Sequence, residues 1–151
     1  MEVGRSNEDA SSPWRIAVCD VAVIRGLRHE VLRPGLPPDT AVFEGDDEPT
    51  TLHWAAWADG QVIGCVTVVR RDSPEGRPWQ LRGMATAAAW RGRGVGAALL
   101  RAVHRRMTGQ PLWCNARREA VGFYQRHGWR CVSEEFDVPT VGPHRRMAGP
   151  G

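Results

Sequence analysis

The fold is decided by one short stretch of the chain, Arg91-Gly92-Arg93-Gly94-Val95-Gly96-Ala97, which follows a predicted strand and opens a predicted helix. The N–H groups of a helix's first turn have no partner within the helix and carry a partial positive charge, so such a turn binds phosphate. Three alternating glycines remove Cβ atoms and let the backbone approach an anion closely. Two arginines add full positive charge. The stretch therefore predicts a phosphate-binding loop rather than only a tight connection.

Two other phosphate-binding patterns have to be compared with this loop. A P-loop requires GxxxxGK[ST], and the chain contains no Lys. The dinucleotide pattern GxGxxA matches Gly92 to Ala97, but that fold places the pattern after its first strand, with an acidic residue about 20 positions further on. Here four predicted strands precede the loop, and the strand after the helix ends in Cys114-Asn115 without an acidic residue. Neither pattern accounts for the loop in this context.

Hydrophobic periodicity predicts the elements on both sides of the loop. Strands are predicted over 14–19, 52–58, 61–70, 79–86, 111–115, 129–138 and 144–148, and helices over 21–32, 94–108 and 118–127. Asp20 is a predicted N-cap, Asp59-Gly60 a predicted type I′ hairpin turn, and Gly109 a predicted helix stop. This order predicts an α/β (α+β) fold with a mixed central sheet of six to seven strands and helices on both faces.

Length and composition are those of one globular domain. The chain has 151 residues, of which 42% are apolar and 25% charged. We interpret residues 1–12 as a disordered lead-in and residues 13–151 as a single domain. Neither a membrane-spanning run nor a secretory signal is recognised, so we expect a cytoplasmic location. The four cysteines lack zinc-ligand spacing, so we expect no metal and free thiols in a reducing compartment.

All positively charged side chains are arginines, and the net charge is +3. A codon bias towards Arg explains this most simply, although the guanidinium fork also suits phosphate. Arg101, Arg105 and Arg106 fall on one side of the helix after the loop, without a nucleic-acid motif or a pattern of stacking aromatics. An ordinary charged helix face is therefore favoured, and we expect neither nucleic acid nor membrane as a partner.

The loop and a block downstream together resemble the GNAT acetyltransferase superfamily. The stretch Arg91–Gly96 fits the [QR]-x-x-G-x-[GA] signature of that superfamily. Residues 115–129 match its second block, N-A-R-x-x-A-x-x-F-Y-x-x-x-G-[FW]. Two motifs at this spacing are highly specific, and the resemblance covers about residues 14–148. Residues 136–139 and 142–144 resemble the corresponding tail of the bacterial ElaA-like branch.

The resemblance implies an N-acetyltransferase with acetyl-CoA as its co-substrate, and strands splayed apart near residues 80–86 and 111–115. In such proteins the strand before the loop pairs with the pantetheine arm, the loop holds the pyrophosphate, and an Asn lies near the thioester. When these roles are carried over to the matching positions of this chain, the residues implied to bind acetyl-CoA are Met84, Ala85, Thr86, Arg91, Gly92, Arg93, Gly94, Val95, Gly96, Ala97 and Asn115. The acceptor would be a primary amine of a small molecule or a peptide, and the family resemblance also allows a homodimer.

Tyr124 is the implied general acid, because it occupies the position that lies close to the sulfur. A phenol with its ordinary pKa near 10 is protonated at neutral pH and can give its proton to the departing thiolate. An alkyl ammonium, in turn, must lose a proton before its nitrogen can attack.

The base that takes this proton is not determined by the sequence. Some family members carry a Glu on the strand before the signature, but Gln80, Arg82 and Thr86 supply none here. The candidate bases are His53 and Glu44, followed by Glu134, Glu135 and His144, and chains of water molecules are the alternative. His144 is also predicted to line the acceptor cleft and bind substrate. The acidic loop over 44–48 indicates either a solvated loop or attraction of a cationic amine.

One function of another class stays open at this point. A protein with the same fold can bind acyl-CoA as a sensor without transferring the acyl group. The presence of Asn115 and Tyr124 argues for catalysis, and release of coenzyme A in the presence of amines distinguishes the two. The sequence fixes neither the acceptor amine nor the length of the acyl group.

Overall fold

The structure, a computed structural model, describes residues 13–150, so the expected lead-in over 1–12 lies outside the described residues. The three helices are α1 (Val21–Leu32), α2 (Val95–Arg106) and α3 (Val121–Arg126). The strands are β1 (Arg15–Cys19), β2 (Leu52–Ala58), β3 (Gln61–Arg70), β4 (Trp79–Thr86), β5 (Leu112–Arg117), β6 (Arg130–Cys131), β7 (Phe136–Val138) and β8 (Gly142–Ala148). Within residues 13–150, every helix is too short or too polar to cross a bilayer.

The first half of the chain follows the sequence expectation closely. The bounds of α1, β2, β3 and β4 are as predicted. Asp59 and Gly60 have φ values of 53° and 74°, which is the left-handed pair of a type I′ turn. Asp20 occupies the N-cap of α1 with extended backbone, but its side chain makes no capping hydrogen bond.

The second half departs from the expectation at five places. Two are small: α2 covers Val95–Arg106 rather than 94–108, and β8 begins at Gly142 rather than at 144. The other three are larger. β5 extends two residues further, to Arg117, because β8 pairs with it that far. The segment before α3 forms a 3₁₀ turn over Arg118–Ala120, so the α-helix is shorter than predicted. The predicted strand over 129–138 is split into β6 and β7. There the Ser133 hydroxyl oxygen accepts a hydrogen bond from the backbone N–H of Arg146 at 2.9 Å. A side-chain oxygen thus takes the place of the backbone carbonyl that would continue the pairing with β8, and the strand is interrupted.

The strands form one mixed sheet, as predicted. Its order is β1-β2-β3-β4-β5-β8-β6, and β7 pairs with β8 on the same edge as β6. The pairing of β4 with β5 is parallel, whereas the pairs β1–β2, β2–β3 and β5–β8 are antiparallel. The sheet has eight strands rather than six or seven because the 129–138 segment contributes two.

The chain divides into two compact units. The first unit contains the residues up to Val69 together with Gly83–Met107, and the second contains Arg70–Arg82 together with the residues from Thr108 onwards. Each unit positions a different set of the predicted site residues.

In the first unit, helices cover both faces of the sheet. Ile24 and Leu27 of α1 pack in a buried cluster with Cys65 of β3. The neighbouring Gly64 points to the opposite face, where a Cβ would lie 2.7 Å from Val95 Cγ1 and 2.9 Å from Leu99 Cδ1. Glycine at this position therefore lets α2 approach β3 closely, and the close packing fixes the position of the first turn of α2.

In the second unit, β5 and β8 form the central antiparallel pair. Their register joins Trp113 to Ala148 at one end and Arg117 to His144 at the other. The parallel ladder between β5 and β4 is much shorter, since its register joins only Trp79 to Leu112 and Gln80 to Trp113 within the described residues. β5 is therefore paired along its whole length with β8 but only at its start with β4, as expected for splayed strands.

The four cysteines are free thiols, two buried and two half-buried. Desolvation raises the pKa of Cys65 to about 12 and that of Cys19 to about 11, and it also raises the pKa of Cys114. The thiols at these positions therefore behave as apolar packing groups.

Candidate active site

The loop before α2 has the conformation that the glycine pattern predicts. Gly92 and Gly94 have φ values of 76° and 94°, in the left-handed region that favours glycine. Gly94 is the N-cap of α2. The residues from Arg91 to Gly94 are exposed, whereas Val95 is completely buried. The backbone of the loop is therefore exposed to solvent, while Val95, which follows it, is held in the core.

The first turn of α2 has N–H groups at this exposed end that bond no residue from 13 to 150. The first hydrogen bond within the helix runs from the N–H of Ala98 to the carbonyl of Gly94 at 3.0 Å. The three preceding N–H groups, of Val95, Gly96 and Ala97, consequently have no carbonyl within the helix to bond. No acidic side chain lies in the first turn, so the partial positive charge there is not offset by a carboxylate of that turn.

Two arginines are held beside the loop by contacts with their neighbours. The guanidinium of Arg93 lies over the ring of Trp90, 4.8 Å from its centroid. Trp90 in turn makes an edge contact with Trp14, with ring centroids 6.2 Å apart. Arg91 Nε donates to the carbonyl of Thr86 at 3.4 Å. Both positive charges are therefore located at the exposed end of α2.

The strand before the loop contains a left-handed residue at its centre. Gly83 has a φ of 69°, and its carbonyl accepts a weak hydrogen bond from Cys65 Sγ at 3.6 Å. A Cβ at Gly83 would lie 3.3 Å from Arg28 Nε. Because any larger residue would press on a buried guanidinium, Gly83 is required both for its φ and for its size, and Met84, Ala85 and Thr86 follow directly after this kink.

Arg28 belongs to a buried polar cluster that the sequence did not reveal. Its Nη1 donates to Asp46 Oδ2 at 2.7 Å and to the carbonyl of Ala41 at 2.9 Å, and its Nη2 donates to Thr67 Oγ1 at 2.9 Å. The guanidinium also stacks on Phe43, 4.0 Å from the ring centroid. The side chains of Arg28 and Asp46 are 0% and 2% exposed. Asp46 is thus neutralised inside the protein and does not contribute to an acidic surface.

His53, the first candidate base, is part of the same cluster. Its Nε2 lies 3.0 Å from the carbonyl of Asp46, and a carbonyl can only accept, so Nε2 carries the hydrogen. Its Nδ1 lies 2.8 Å from Thr67 Oγ1 and therefore accepts the hydroxyl hydrogen. Both ring nitrogens are occupied, and the residue is 5% exposed. We call the set Arg28, Asp46, Thr67 and His53 the Arg28 cluster.

Glu44, the other candidate base of the first unit, is exposed in the loop that contains Asp46. Asp47 and Glu48 are also exposed, so the acidic loop is solvated except at Asp46. One signal in the sequence could have identified the cluster. Arg28 follows Ile24 by four positions and so falls on the apolar face of α1, where a charge needs a buried partner.

In the second unit, Asn115 stands out within β5. It is exposed, although Cys114 and Ala116 on either side are buried. Its strand partner is Arg146 of β8. Arg146 makes a two-pronged ion pair with Glu75, with Nη2 to Oε2 at 2.7 Å, which holds the pKa of Glu75 below its usual value. The exposed Asn115 amide therefore lies beside an arginine whose charge is already paired.

Tyr124 lies on α3 and is 5% exposed. Its ring contacts Phe123 and Trp129, with centroids 5.1 Å and 5.2 Å away. Desolvation, followed by the nearby Cys114, raises the pKa of Tyr124 well above the ordinary value for Tyr. The phenol therefore keeps its proton at neutral pH, as a general acid must. The structure gives its hydroxyl no hydrogen bond to any residue from 13 to 150.

The remaining candidates lie on or near β7 and β8. His144 is 7% exposed, and its Nδ1 lies 2.8 Å from the carbonyl of Gly142. Glu135 forms an exposed ion pair with Arg118 at 2.7 Å, and this pairing keeps the pKa of Glu135 low. Glu134 is exposed. A carboxylate that is paired and has a lowered pKa is a poor proton acceptor, so His144 is the more suitable group when compared with Glu135.

Within residues 13–150, no group of three or more His, Cys, Asp or Glu side chains is arranged to hold a metal ion.

Fold and loop together define an acyl-CoA N-acyltransferase. The sequence model of the Acetyltransferase (GNAT) domain matches residues 49–131. A protein of Bacillus subtilis (strain 168) described as "Uncharacterized N-acetyltransferase YitI" is 30% identical over 124 residues, which are 78% of this chain and 83% of that protein. The chain therefore belongs to the GNAT family of N-acetyltransferases, and the resemblance of its two motifs to that family is confirmed.

Solved structures have the same fold. Escherichia coli ElaA superimposes with a TM-score of 0.72 at 20% identity, over 90% of this chain and 97% of that one. An aminoglycoside 6'-N-acetyltransferase complexed with coenzyme A superimposes with a TM-score of 0.67 at 14% identity, over 88% and 94% of the two chains. Acetyl transfer, rather than sensing alone, is the activity that this family carries.

Proposed function

We propose that this N-acetyltransferase binds acetyl-CoA at the exposed end of α2 and transfers the acetyl group to a primary amine. The observation that carries the proposal combines two features: the N–H groups of Val95, Gly96 and Ala97 have no partner among residues 13–150, and the preceding loop has left-handed glycines. These groups suit a pyrophosphate, because a helix N-terminus and two guanidinium groups stabilise its negative charge. Acetyl-CoA supplies an acyl thioester.

We assign the other binding residues by their position in the motifs. The backbone of Met84, Ala85 and Thr86 pairs with the amides of the pantetheine arm, which would extend β4 in the manner of an added strand. The Asn115 amide bonds the co-substrate near the thioester. Support for this assignment comes from the exposure of Asn115 within an otherwise buried stretch of β5.

Tyr124 donates the proton that the leaving sulfur takes up. Two observations support this role: burial holds the phenol in its protonated form, and its hydroxyl hydrogen is not engaged by any described residue. The amine attacks the thioester directly, without an acyl-enzyme intermediate. The cysteines do not suggest such an intermediate, because burial disfavours the thiolate at Cys19, Cys65 and Cys114.

The acceptor belongs to the class of small-molecule or peptide amines. The aminoglycoside acetyltransferase with the same fold is a neighbour that acts on a small amine, which supports including this class in a screen. We further propose a cytoplasmic protein of a bacterium, since free thiols in all four cysteines suit a reducing compartment. A homodimer remains an expectation from the family resemblance.

The decisive test substitutes Gly94 at the helix cap. Gly94→Glu places a negative charge where the phosphate binds and strains a left-handed backbone position, so we expect acetyl-CoA binding to be lost in calorimetry. Gly109→Glu is the matched control. Gly109 also has a positive φ, of 80°, but it follows the other end of α2. Among the described residues, an added Cβ there would meet nothing within 4 Å, and at Gly94 it would meet only Trp14 Cη2 at 3.9 Å, an ordinary contact.

Turnover is measured as free coenzyme A and acylated product by mass. The acceptor panel is putrescine, spermidine, kanamycin and a pentapeptide with a free amino terminus. We expect the wild type and Gly109→Glu to bind acetyl-CoA and to acetylate at least one amine. Unchanged acetyl-CoA affinity in Gly94→Glu would contradict the loop assignment, and binding without acetylation of any amine in the panel would favour a sensor.

A further inference from the structure

We propose that His144 Nε2 is the base that takes the proton from the acceptor ammonium. The proposal deepens the function proposed above and rests on it. The sequence leaves the base open among several side chains. His53 and Glu135 are already engaged in hydrogen bonds or an ion pair, whereas His144 keeps one ring nitrogen without a partner among the described residues.

The tautomer of His144 follows from one hydrogen bond. Its Nδ1 lies 2.8 Å from the carbonyl oxygen of Gly142, which has no hydrogen to give. Nδ1 must therefore carry the hydrogen and donate it. In a neutral imidazole the other nitrogen is then an acceptor, so Nε2 presents its lone pair. The structure gives Nε2 no hydrogen bond to any of the described residues.

The ring is also held in one orientation. It stacks on Phe136, its strand partner on β7, with centroids 6.0 Å apart and planes 26° apart. The residue is 7% exposed, and it lies within β8, which is paired with β5 on one side and with β7 on the other. A base whose lone pair has a fixed direction loses little freedom when the acceptor binds.

The ring lies on the same face of the sheet as Asn115. The register pairs His144 with Arg117 and Asn115 with Arg146, and directly opposite residues of an antiparallel pair share a face. Asn115 and His144 are therefore diagonal neighbours, about 7–8 Å apart between α-carbons. Asn115 is the exposed residue that we assign to the thioester, so His144 lies beside the place where the amine has to arrive.

The proton balance of the reaction is simple with these two groups. His144 Nε2 takes one proton from the ammonium, which frees the nitrogen lone pair. The nitrogen forms its bond to the thioester carbonyl carbon while the carbon–sulfur bond breaks. The sulfur receives the hydroxyl proton of Tyr124, and the proton that leaves the new amide nitrogen returns to Tyr124 through solvent. His144 finally releases its proton to solvent, so both groups are restored.

The charged groups near His144 come from each neighbouring strand and turn. Arg117 lies opposite on β5, Arg146 lies two residues away on β8, and Asp137 follows Phe136 on β7. Arg146 is paired with Glu75, and the turn before α3 contributes Arg118, which is paired with Glu135.

The test compares two substitutions that each preserve one carbonyl hydrogen bond. His144→Asn places an amide N–H near the position of Nδ1 and removes Nε2. His29→Gln is the matched control, because His29 Nε2 also bonds a backbone carbonyl, that of Leu36 at 2.7 Å, and the Gln amide can replace it. Each variant is assayed with the panel alkyl amine that the wild type acetylates fastest, and with hydroxylamine, which is uncharged at neutral pH.

We expect His144→Asn to lower kcat with the alkyl amine by about 10²- to 10⁴-fold, since that is the usual contribution of a general base. The rate with hydroxylamine should stay within a few-fold, because that acceptor needs no deprotonation before attack. His29→Gln should leave both rates unchanged. Equal losses with both acceptors, or a retained rate with the alkyl amine, would overturn the proposal.

A second measurement does not depend on turnover. Long-range nitrogen–proton NMR spectra of ¹⁵N-histidine-labelled protein report the tautomer of each ring, and the His144 signals are identified by their absence in His144→Asn. We expect the Nδ1–H tautomer for His144 and the Nε2–H tautomer for His53. The Nε2–H form at His144 would overturn the proposal even if no amine in the panel were acetylated, whereas that lack of acetylation would count against the proposed function.

Discussion

The two buried histidines of this protein lie in regions of opposite character. In the Arg28 cluster, His53 bonds a carbonyl through one ring nitrogen and a hydroxyl through the other, so neither nitrogen is available to accept a proton from a substrate. On β8, His144 bonds a carbonyl through Nδ1 and leaves Nε2 without a described partner. Both rings are almost completely buried. Burial alone therefore does not separate a structural histidine from a chemical one.

The difference lies in whether both ring nitrogens are already bonded. A buried polar cluster with bonded members gains stability, because leaving such a group unpaired is costly; in the Arg28 cluster Arg28 Nε is the atom that lacks a partner among residues 13–150. A proton acceptor must instead keep a lone pair available for the substrate. By this criterion the Arg28 cluster is expected to contribute to folding, while His144 and the Tyr124 hydroxyl are expected to contribute to turnover. Three substitutions test this division, in order of decreasing effect on the free energy of unfolding.

The largest effect is expected for Asp46→Ala. This change removes the one carboxylate among residues 13–150 that bonds the buried guanidinium of Arg28, and breaking a buried ion pair in this way costs about 3–5 kcal/mol. Urea unfolding followed by tryptophan fluorescence gives the change in the free energy of unfolding. Asp47→Ala is the control, because Asp47 is the exposed neighbour. A loss no greater than that of the control would mean that the cluster does not stabilise the fold.

A smaller effect is expected for Thr67→Val, which keeps the shape of the side chain. The Thr67 hydroxyl bonds both Arg28 and His53, so its removal leaves two buried groups unsatisfied and costs about 1–3 kcal/mol. Thr67→Ser keeps the hydroxyl and serves as the control in the same urea titration. We expect kcat to fall little in either variant. A loss of turnover without a loss of stability would assign the cluster to catalysis instead.

The smallest effect on stability at neutral pH is expected for Tyr124→Phe, because the hydroxyl has no described partner to lose. Its kcat should nevertheless fall about 10²-fold or more if the phenol is the general acid, while the affinity for acetyl-CoA in calorimetry stays close to the wild-type value. Unchanged turnover would remove Tyr124 from the mechanism.

The same substitution has a test at alkaline pH. An unfolded Tyr ionises near pH 10, whereas burial holds the folded pKa of Tyr124 well above that value. The group's contribution to stability is therefore complete below about pH 10 and is lost as the pH rises towards the folded pKa. Tyr124→Phe should lose less stability than the wild type over that interval. Parallel losses in the two proteins would mean that Tyr124 is not buried as described.

The sequence predicted the loop and the strands around it because their signals are local. Glycines at Gly92 and Gly94, the Asp59-Gly60 turn and the alternating apolar residues of β3 each act within a few positions of the chain. Pattern reasoning therefore located α1 and β2 to β4 with correct bounds. It did not locate the break between β6 and β7, because that break depends on a hydrogen bond that the N–H of Arg146, on another strand, donates to the Ser133 hydroxyl.

For the same reason, the sequence could not show that the ring nitrogens of His53 are both bonded while one of those of His144 has no described partner. The partners of His53 lie 14 and 7 positions away, and their hydroxyl and carbonyl come together only in the folded chain. The tautomer of His144 depends on a carbonyl only two positions away, but also on the backbone path that turns it towards the ring. Residue type and spacing ranked His53 first, while bonding geometry favours His144.

The buried thiols also determine how this enzyme can be assayed. Coloured disulfide reagents react with thiolates, and the raised pKa values of Cys19, Cys65 and Cys114 leave these side chains protonated at neutral pH. Product coenzyme A carries an exposed thiol and reacts freely. These three cysteines should therefore add little to the absorbance change and need not be replaced for the assay.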